Sequence, residues 1–541
     1  MRLELKDYPE LNRSMYVLYP AGERLSCYDN TMVTILRESS DAAPLEALLQ
    51  DEEFVKMADF RRMVLLFPNP VNGSWDADPQ GKDFADVNEL IRLFNYQPDF
   101  HDYGIYHNMH NARYLAGVGT GASLAFSIAA CTPVNVAGVA AVGGSLHPMV
   151  QHLTKDAPVS AVMWNADPDA VDFFQVLNRV NGGEETHRYN KTNPAQFVKQ
   201  PEGDVPASMA ALITAGWDNL FSQVCRPNTT EYGVMDFRLV RDDYKFIIHE
   251  DDTMLGDNNG MAHTWFEYVP EAVKQNPDKK VPLVIFNHGG ADTPGNMANT
   301  TKFHEVAEEN GFLLVFTWCS SHWGWNMELD ENQPDDIAYL SALIDHMKAT
   351  YPVDETRVYM SGFSNGSAMS QVFAMTNPEK IAAVFANDTR FCQDRNMKCF
   401  AIATAKKMQY DYRMPIWYIY GSRDVEYPAV RGSGQQVAYD WWKSYNNITC
   451  KETPYVATPE SCGVGVPGDV IEERYPNPQF PTRKEITHRF FSNDPKPLNL
   501  YNYTLVVGKG HDSNPEDCRM AWEYLRKFRR MPDGSLQIDE D

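Results

Sequence analysis

A serine flanked by glycines lies between a strand-like and a helix-like stretch in the C-terminal half of the chain. The run Gly362-Phe363-Ser364-Asn365-Gly366 fits the pattern G-x-S-x-G and comes after the strand-like residues 357–360. At such a turn the serine stands on a strained backbone, and side chains in place of the glycines would strike the neighbouring strand and helix. The pattern therefore predicts a nucleophile at Ser364, with a tight structural turn as the alternative.

A serine hydroxyl is a weak nucleophile at neutral pH and needs a histidine base held by a carboxylate. Asp424 follows the apolar run 416–420 through a Gly-Ser-Arg turn, and His511 follows the run 503–507 through Gly-Lys-Gly. Both positions lie at the carboxyl ends of predicted strands, where α/β sheets place their sites. We expect Ser364, Asp424 and His511 to form a catalytic triad; for Asp424 the alternative is a solvated turn residue.

Acyl transfer also needs donors for the negative charge on the carbonyl oxygen. The segment Asn287-His288-Gly289-Gly290 follows the apolar run 284–286. We expect the backbone N–H of Gly290, narrowly preferred to Gly289, and that of Asn365 to form an oxyanion hole. His288 is expected to be structural.

Aromatic residues follow another strand that ends at the same edge. His322, Trp323 and Trp325 lie on the loop after the apolar run 312–316. Aromatic side chains at this edge favour a pocket wall for an acyl or alcohol group. We predict that these three residues contact substrate; the alternative is that they pack on the body of the domain.

The chain carries one architecture twice. Residues 114–123 run parallel to 359–368, and the strand-like runs on either side follow in the same order. Short apolar runs alternate with helical patterns in each copy, which predicts an α/β fold with two tandem α/β-hydrolase-like domains, each a mostly parallel sheet flanked by helices. We place the domains at 1–228 and 229–541.

We expect the two copies to differ in their added segments and in their site residues. We expect residues 235–240 and 261–270 to be lead-in strands of the second sheet, and 449–491 to be an insertion before its last strand. In the first copy Gly119 occupies the position of Ser364, and Tyr19-Pro20-Ala21-Gly22 replaces the His-Gly-Gly segment. Asp167 remains, but no histidine follows the last expected strand on a glycine-rich loop. The first copy is therefore expected to be inactive, as a scaffold or as a lid for the second.

Residues 265–530 resemble a known family. The string 354–369, with its Gly-Phe-Ser-Asn-Gly core, and the Asp335-Asp336-Ile337 motif before it are similar to those of the polyhydroxybutyrate depolymerase and feruloyl/acetylxylan esterase group of α/β-hydrolases. The resemblance implies ester hydrolysis by the triad Ser364, Asp424 and His511. Many members of that group carry a secretion signal, which this sequence does not show.

Composition excludes several classes of function. A net charge of −25 over 541 residues gives no basic surface for nucleic acid. No apolar leader or membrane span is visible, so we expect a cytoplasmic protein with no membrane partner. Its nine cysteines are expected to be reduced, with Cys450–Cys462 or Cys392–Cys399 bridged only if the protein is exported.

Without zinc-type spacing of cysteines and histidines, no metal and no organic cofactor are expected. The sequence thus predicts a serine esterase that acts through an acyl-enzyme on a small-molecule or oligomeric ester. The alternatives are a serine peptidase of the same fold and a non-catalytic binding protein. The oligomeric state stays open.

Overall fold

The computed structural model describes residues 1–21, 26–95, 111–227, 231–255, 261–321, 323–389, 391, 396–424, 434–449, 470–474 and 483–539. The chain divides into two compact units. The first comprises Met1–Asn228 and Tyr232–Tyr244, and the second comprises Thr229–Glu231 and Lys245–Asp541. These units differ from the expected domains at residues 232–244, which pack with the first unit.

The first unit contains twelve strands and seven α-helices among the described residues. The strands are β1 (Arg2–Tyr8), β2 (Arg13–Tyr19), β3 (Thr31–Leu36), β4 (Met63–Pro68), β5 (Arg113–Val118), β6 (Gly138–Val142), β7 (Ser160–Trp164), β8 (Gly182–Glu184), β9 (His187–Tyr189), β10 (Phe197–Lys199), β11 (Val224–Cys225) and β12 (Asp236–Phe237). The helices are α1 (Ala43–Gln50), α2 (Glu52–Phe60), α3 (Lys82–Asn95), α4 (Thr120–Cys131), α5 (Val150–Leu153), α6 (Pro168–Leu177) and α7 (Met209–Gly216).

The second unit contains twelve strands and eight α-helices in its described part. The strands are β13 (Ile247–Asp252), β14 (His263–Tyr268), β15 (Val281–Asn287), β16 (Leu313–Thr317), β17 (Val353–Phe363), β18 (Ala383–Asn387), β19 (Ile416–Gly421), β20 (Val470–Arg474), β21 (Lys484–Phe491), β22 (Asn499–Val507), β23 (Phe528–Arg530) and β24 (Leu536–Ile538). The helices are α8 (Glu271–Gln275), α9 (Pro294–Thr301), α10 (Phe303–Asn310), α11 (Asp336–Thr350), α12 (Asn365–Thr376), α13 (Met397–Gln409), α14 (Gly434–Tyr445) and α15 (Pro515–Leu525).

Each unit is built on one ten-stranded sheet. The order is β1-β2-β4-β3-β5-β6-β7-β10-β9-β8 in the first and β13-β14-β16-β15-β17-β18-β19-β22-β21-β20 in the second. Both orders are the same when strands are counted from the start of each sheet. The six central strands are parallel, and the two at each edge are antiparallel. This confirms two tandem α/β domains with mostly parallel sheets.

Several central strands are buried along their whole length because both faces of a parallel sheet are covered. Every residue of β15, β16 and β19 is buried. The helices that cover the sheet start at capping residues: the side chain of Asp335 accepts from the N–H of Ala338 before α11, and Asn514 forms a capping box with Asp517 before α15. These elements hold the loops at the carboxyl edge of the sheet.

Two local expectations change. Residues 235–240 do not open the second sheet, because β12 pairs with β11 in the first unit, and β13 pairs with β14 instead. The stretch 449–491 contributes β20 and β21 to the edge of the second sheet, and residues 450–469 and 475–482 lie outside the described residues. No helix in the described part of the chain is long and apolar enough to cross a membrane.

Candidate active site

Ser364 lies at a sharp turn between β17 and α12 in the second unit. Its φ of 51° and ψ of −115° are strained for a residue with a side chain. The backbone N–H of Ser364 donates to the carbonyl of Asn387 at 2.9 Å, which ties the turn to the end of β18. Strain of this kind concentrates at functional sites, where surrounding structure holds it in place.

Two glycines allow the turn to close. A Cβ on Gly362 would lie 2.6 Å from the backbone of Gly366, and a Cβ on Gly366 would lie 2.1 Å from the carbonyl oxygen of Asn287. Both positions therefore exclude any side chain. The first turn of α12 thus lies directly against the chain that leaves β15.

His511 and Asp424 are brought together from the loops after β22 and β19. Nδ1 of His511 lies 2.8 Å from Oδ2 of Asp424, and Asp424 is 3% exposed. The imidazole packs on Phe363, with ring centroids 4.8 Å apart, so it stands beside the residue that precedes Ser364. A proton shared with the carboxylate on Nδ1 leaves Nε2 as the basic nitrogen.

Burial opposes a charged imidazole at His511. The hydrogen bond to Asp424 and the negative charge of Asp388 outweigh this effect, so the pKa of His511 is raised above its ordinary value. A raised pKa strengthens the ring as a proton acceptor.

Asp388 is a buried carboxylate beside this pair that the sequence analysis did not identify. It follows β18 and is 0% exposed. Its oxygens accept from the backbone N–H of Gly421 at 3.0 Å and of Asp512 at 3.1 Å, and from the ammonium of Lys509. One side chain thereby connects the loop that carries Asp424 to the loop that carries His511. Burial raises the pKa of Asp388 to about 7.

The donor atoms of Asp388, Asp424 and His511 lie within 4.8 Å of one another, close enough to hold a cation. Lys509 and the backbone donors already neutralise Asp388, and Asp424 is bonded to the imidazole. These groups are therefore arranged as a hydrogen-bonded charge network.

Residues 287–290 at the end of β15 and just after it, which we call the oxyanion segment, lie against the turn, as the expected oxyanion hole requires. A Cβ on Gly289 would lie 3.5 Å from Cβ of Ser364, and a Cβ on Gly290 would lie 2.5 Å from Nδ2 of Asn365. His288 is fully buried; its Nε2 accepts from the N–H of Cys319 at 3.0 Å, and its Nδ1 bonds the carbonyl of Gly289. That ring therefore fixes the segment from inside the domain.

The structure describes two of the three expected substrate contacts, and these two have different surroundings. Trp325 is 4% exposed, and its indole N–H donates to the carbonyl of His288 at 2.9 Å, so it supports the oxyanion segment from the core. Trp323 is half-buried, and its carbonyl accepts from the N–H of Ala291 at 2.6 Å. His322 lies outside the described residues. Substrate contact by these residues stays a prediction.

The first unit keeps the turn but not the hydroxyl. Gly119 follows β5 with φ of 57° and ψ of −121°, nearly the backbone of Ser364, and its N–H donates to the carbonyl of Val142 at 3.0 Å. The next amide, that of Thr120, donates to a carboxylate oxygen of Glu38 at 2.8 Å. A Cβ on Gly119 would lie 2.6 Å from the same oxygen. Glu38 therefore accepts the hydrogen bond of the Thr120 N–H, which corresponds to the backbone N–H of Asn365.

The residues that replace His-Gly-Gly in the first unit are Arg37-Glu38-Ser39, so the expectation of Tyr19-Pro20-Ala21-Gly22 is wrong. β3 and β15 hold the same place in the strand order, whereas Tyr19 ends β2, the counterpart of β14. Asp167 is exposed and caps α6 through the N–H of Asp169. No histidine lies between β10 and α7, the stretch that corresponds to the loop of His511 in the second unit.

Residues 267–425 match a family model described as Esterase PHB depolymerase. A bifunctional acetylxylan esterase/xylanase of Neocallimastix patriciarum is 24% identical over 266 residues, which cover 48% of this chain and 32% of that protein. Feruloyl esterase B of Neurospora crassa is 28% identical over 123 residues, covering 22% of this chain and 41% of that protein. The matches thus span a third to two-fifths of these relatives. The resemblance to the depolymerase and feruloyl/acetylxylan esterase group is confirmed.

Among solved structures, an acetyl xylan esterase from Aspergillus awamori superposes with a TM-score of 0.38 and 16% identity. The superposition covers 52% of this chain and 99% of that one.

Proposed function

From the similarity of residues 267–425 to the Esterase PHB depolymerase family, we propose that the second unit hydrolyses carboxylic esters through an acyl-enzyme formed on Ser364. The observation that carries the proposal is the strained turn at Ser364 beside the His511–Asp424 pair. A held nucleophile, a base and an orienting acid are the parts that acyl transfer by serine needs.

In the acylation step, Oγ of Ser364 attacks the ester carbonyl carbon while its proton passes to Nε2 of His511. Asp424 keeps the imidazole in the correct tautomer and stabilises the imidazolium that forms. The carbonyl oxygen gains negative charge and accepts hydrogen bonds from the backbone N–H groups of Gly290 and Asn365. Collapse of the intermediate breaks the ester C–O bond, and the alcohol leaves with the proton from His511.

In the deacylation step, a water molecule gives its proton to His511 and attacks the acyl carbon. The same two amides hold the second oxyanion. The bond to Oγ then breaks, the proton returns to Ser364, and the carboxylic acid is released. The network around Asp388 supports this cycle because it holds the acid and histidine loops in one arrangement.

The first unit is proposed to take no part in this chemistry. It has Gly119 in place of the nucleophile, and Glu38 bonds the amide that would receive the oxyanion. A fixed carboxylate at that amide would repel a developing oxyanion.

The substrate class is proposed from the relatives. Their names include acetylxylan esterase, feruloyl esterase and, for a protein of Paucimonas lemoignei that is 28% identical over 129 residues, poly(3-hydroxyalkanoate) depolymerase. We propose acetyl and feruloyl esters of small or oligomeric alcohols as the first substrates to assay.

Labelling with a fluorophosphonate tests the nucleophile. The probe should label the wild-type protein at one peptide, and Ser364→Ala should abolish both labelling and hydrolysis of p-nitrophenyl acetate. The matched control is Ser367→Ala, which removes a buried hydroxyl one turn further along α12 that has no hydrogen-bond partner among the described residues. This variant should label and turn over as the wild type does.

Labelling that persists in Ser364→Ala would refute the assignment. A panel of p-nitrophenyl acetate, methyl ferulate, acetylated xylan and p-nitroanilides then separates ester from amide cleavage. Faster turnover of the anilides than of the esters would replace the esterase by a peptidase of the same fold.

A further inference from the structure

A second cluster of titratable side chains lies beside the first two strands of the sheet in the second unit, β13 and β14. It joins His249 on the edge strand β13, Glu267 on the neighbouring strand β14 and His346 in the C-terminal half of α11. Their nearest ligand atoms all lie within 4.8 Å of one another. β14 is three strands away from β17 in the sheet, so this cluster is separate from the triad.

The two imidazoles converge on one oxygen. Nε2 of His249 lies 3.3 Å from Oε1 of Glu267, and Nε2 of His346 lies 3.2 Å from the same atom. Charge-assisted hydrogen bonds between nitrogen and carboxylate are shorter, about 2.7–2.9 Å. The distances also agree with the edges of a tetrahedron around zinc, which are about 3.3–3.4 Å for metal–ligand bonds of 2.0–2.1 Å.

Oε1 of Glu267 already has a good hydrogen bond. The indole N–H of Trp265 donates to it at 2.7 Å, and the hydroxyl of Tyr351 donates to Oε2 at 2.6 Å. Glu267 is buried, with 1% of its surface exposed, and these two hydrogen bonds hold its carboxylate in one orientation. With the indole on one lone pair of Oε1, that oxygen keeps one lone pair for a metal, too few for two imidazole N–H donors.

The outer contact of His249 is typical of a metal ligand. Nδ1 of His249 lies 3.0 Å from Oδ2 of Asp252, and its ring stacks on Trp265 with centroids 4.2 Å apart. A carboxylate on the far nitrogen fixes the tautomer and turns the lone pair of Nε2 inwards, as at many metal sites. The side chains of His249 and His346 are 16% and 20% exposed, which leaves a path for an ion from solvent.

We propose that His249, Glu267 and His346 bind one divalent transition-metal ion of the zinc class. Two imidazole nitrogens and one carboxylate oxygen suit zinc better than calcium or magnesium, which prefer oxygen ligands. Water completes the tetrahedron. The ion joins two edge strands to a helix end, so it stabilises the folded unit and takes no part in ester cleavage.

The test is metal binding by the full chain with its affinity tag removed. After equilibration with Zn²⁺ and dialysis, the wild type should retain one zinc per chain by mass spectrometry of the metal, and its Tm should rise with added Zn²⁺. Glu267→Gln and His346→Gln should lose this zinc. Asp252→Asn should weaken binding about 10–100-fold in competition with a chromophoric chelator, because it removes only the outer contact.

The matched control is His152→Gln, which removes an exposed histidine of α5 in the first unit. It should bind zinc as the wild type does. His346→Gln lies on a partly exposed helix turn, so it serves if Glu267→Gln does not fold. A wild type that retains no zinc, or His346→Gln and His152→Gln that bind equally, would overturn the site. Esterase activity should be unchanged by chelators, which keeps this test independent of the proposed function.

Discussion

Gly366 offers a test of why the turn at Ser364 needs glycine two residues later. A Cβ at this position would lie 2.1 Å from the carbonyl oxygen of Asn287 and 2.3 Å from that of His288. Both atoms belong to the backbone that forms the oxyanion segment. Because Cβ atoms stay at least 3.0 Å from such atoms, Gly366→Ala must separate α12 from this segment by about 0.9 Å, the difference between 3.0 and 2.1 Å.

A separation of this size acts on both activity and stability. It moves the amide of Asn365 away from that of Gly290, and misplacing reacting groups by about 1 Å lowers the rate about 100-fold. Overpacking in a close contact costs about 1–3 kcal/mol. We expect kcat/KM for p-nitrophenyl acetate to fall about 100-fold, and the free energy of unfolding of the second unit to fall by about 1–3 kcal/mol.

The duplicated architecture supplies a matched control. A Cβ on Gly121, the counterpart of Gly366 in the first unit, would lie 2.0 Å from the carbonyl oxygen of Leu36. Gly121→Ala should destabilise the first unit by a similar amount while kcat/KM of the folded protein stays unchanged. Thermal melts and kinetics of both variants decide the matter. Wild-type kcat/KM in Gly366→Ala, or an equal loss in Gly121→Ala, would refute the argument.

Three further changes test the site and the inactive copy. Asp424→Asn should lower kcat about 10³–10⁴-fold, because the proton on Nδ1 of His511 loses its acceptor; near-normal turnover would place the acid elsewhere. Since the pKa of His511 is raised, kcat/KM should fall as the pH drops through it, and Asp388→Asn should move this fall to lower pH by removing a charge that favours imidazolium; an unchanged midpoint contradicts this. Gly119→Ser, alone or with Glu38→Gly, should give no hydrolysis when the second unit is inactivated; activity there would show that a base exists in the first unit.

The sequence predicts the parts of the site that lie on short loops after strands. Ser364, Asp424 and His511 each follow an apolar run through glycine-containing residues, and strand ends meet at one edge of a parallel sheet. Asp388 has the same signal, since it directly follows β18, but its role depends on Lys509 and two amides from distant loops. Contacts between loops that are far apart in the sequence cannot be recognised from the spacing of residues.

Other features depend on which strands and helices lie next to each other, and the spacing of residues in the sequence does not encode this. The correspondence of Glu38 to the oxyanion segment needs the strand order, because β2 and β3 are both apolar and either could precede that segment. The cluster of His249, Glu267 and His346 comes from two strands and a helix, and its last two members are 79 positions apart in the sequence. The expectation of no metal was based on motifs of closely spaced ligands. Such motifs cannot identify a cluster whose members are far apart in the sequence.

Comparison of the two units separates contacts that belong to the fold from those that belong to the chemistry. Trp75 in the first unit donates its indole N–H to the carbonyl of Arg37 at 2.9 Å, as Trp325 does to that of His288. The backbone N–H that follows each tryptophan donates to a carboxylate in the first turn of a helix, at 2.8 Å in both units.

These contacts are the same although the residue at the turn is glycine in one unit and serine in the other. The tryptophan therefore serves the loop geometry in both, and its presence does not itself signal activity. At this turn the second unit differs from the first by the hydroxyl of Ser364, by the paired Asp424 and His511, and by a glycine where the first unit has Glu38. Because the scaffold keeps its hydrogen bonds without them, substitutions at Ser364 or His511 should alter turnover while the fold persists.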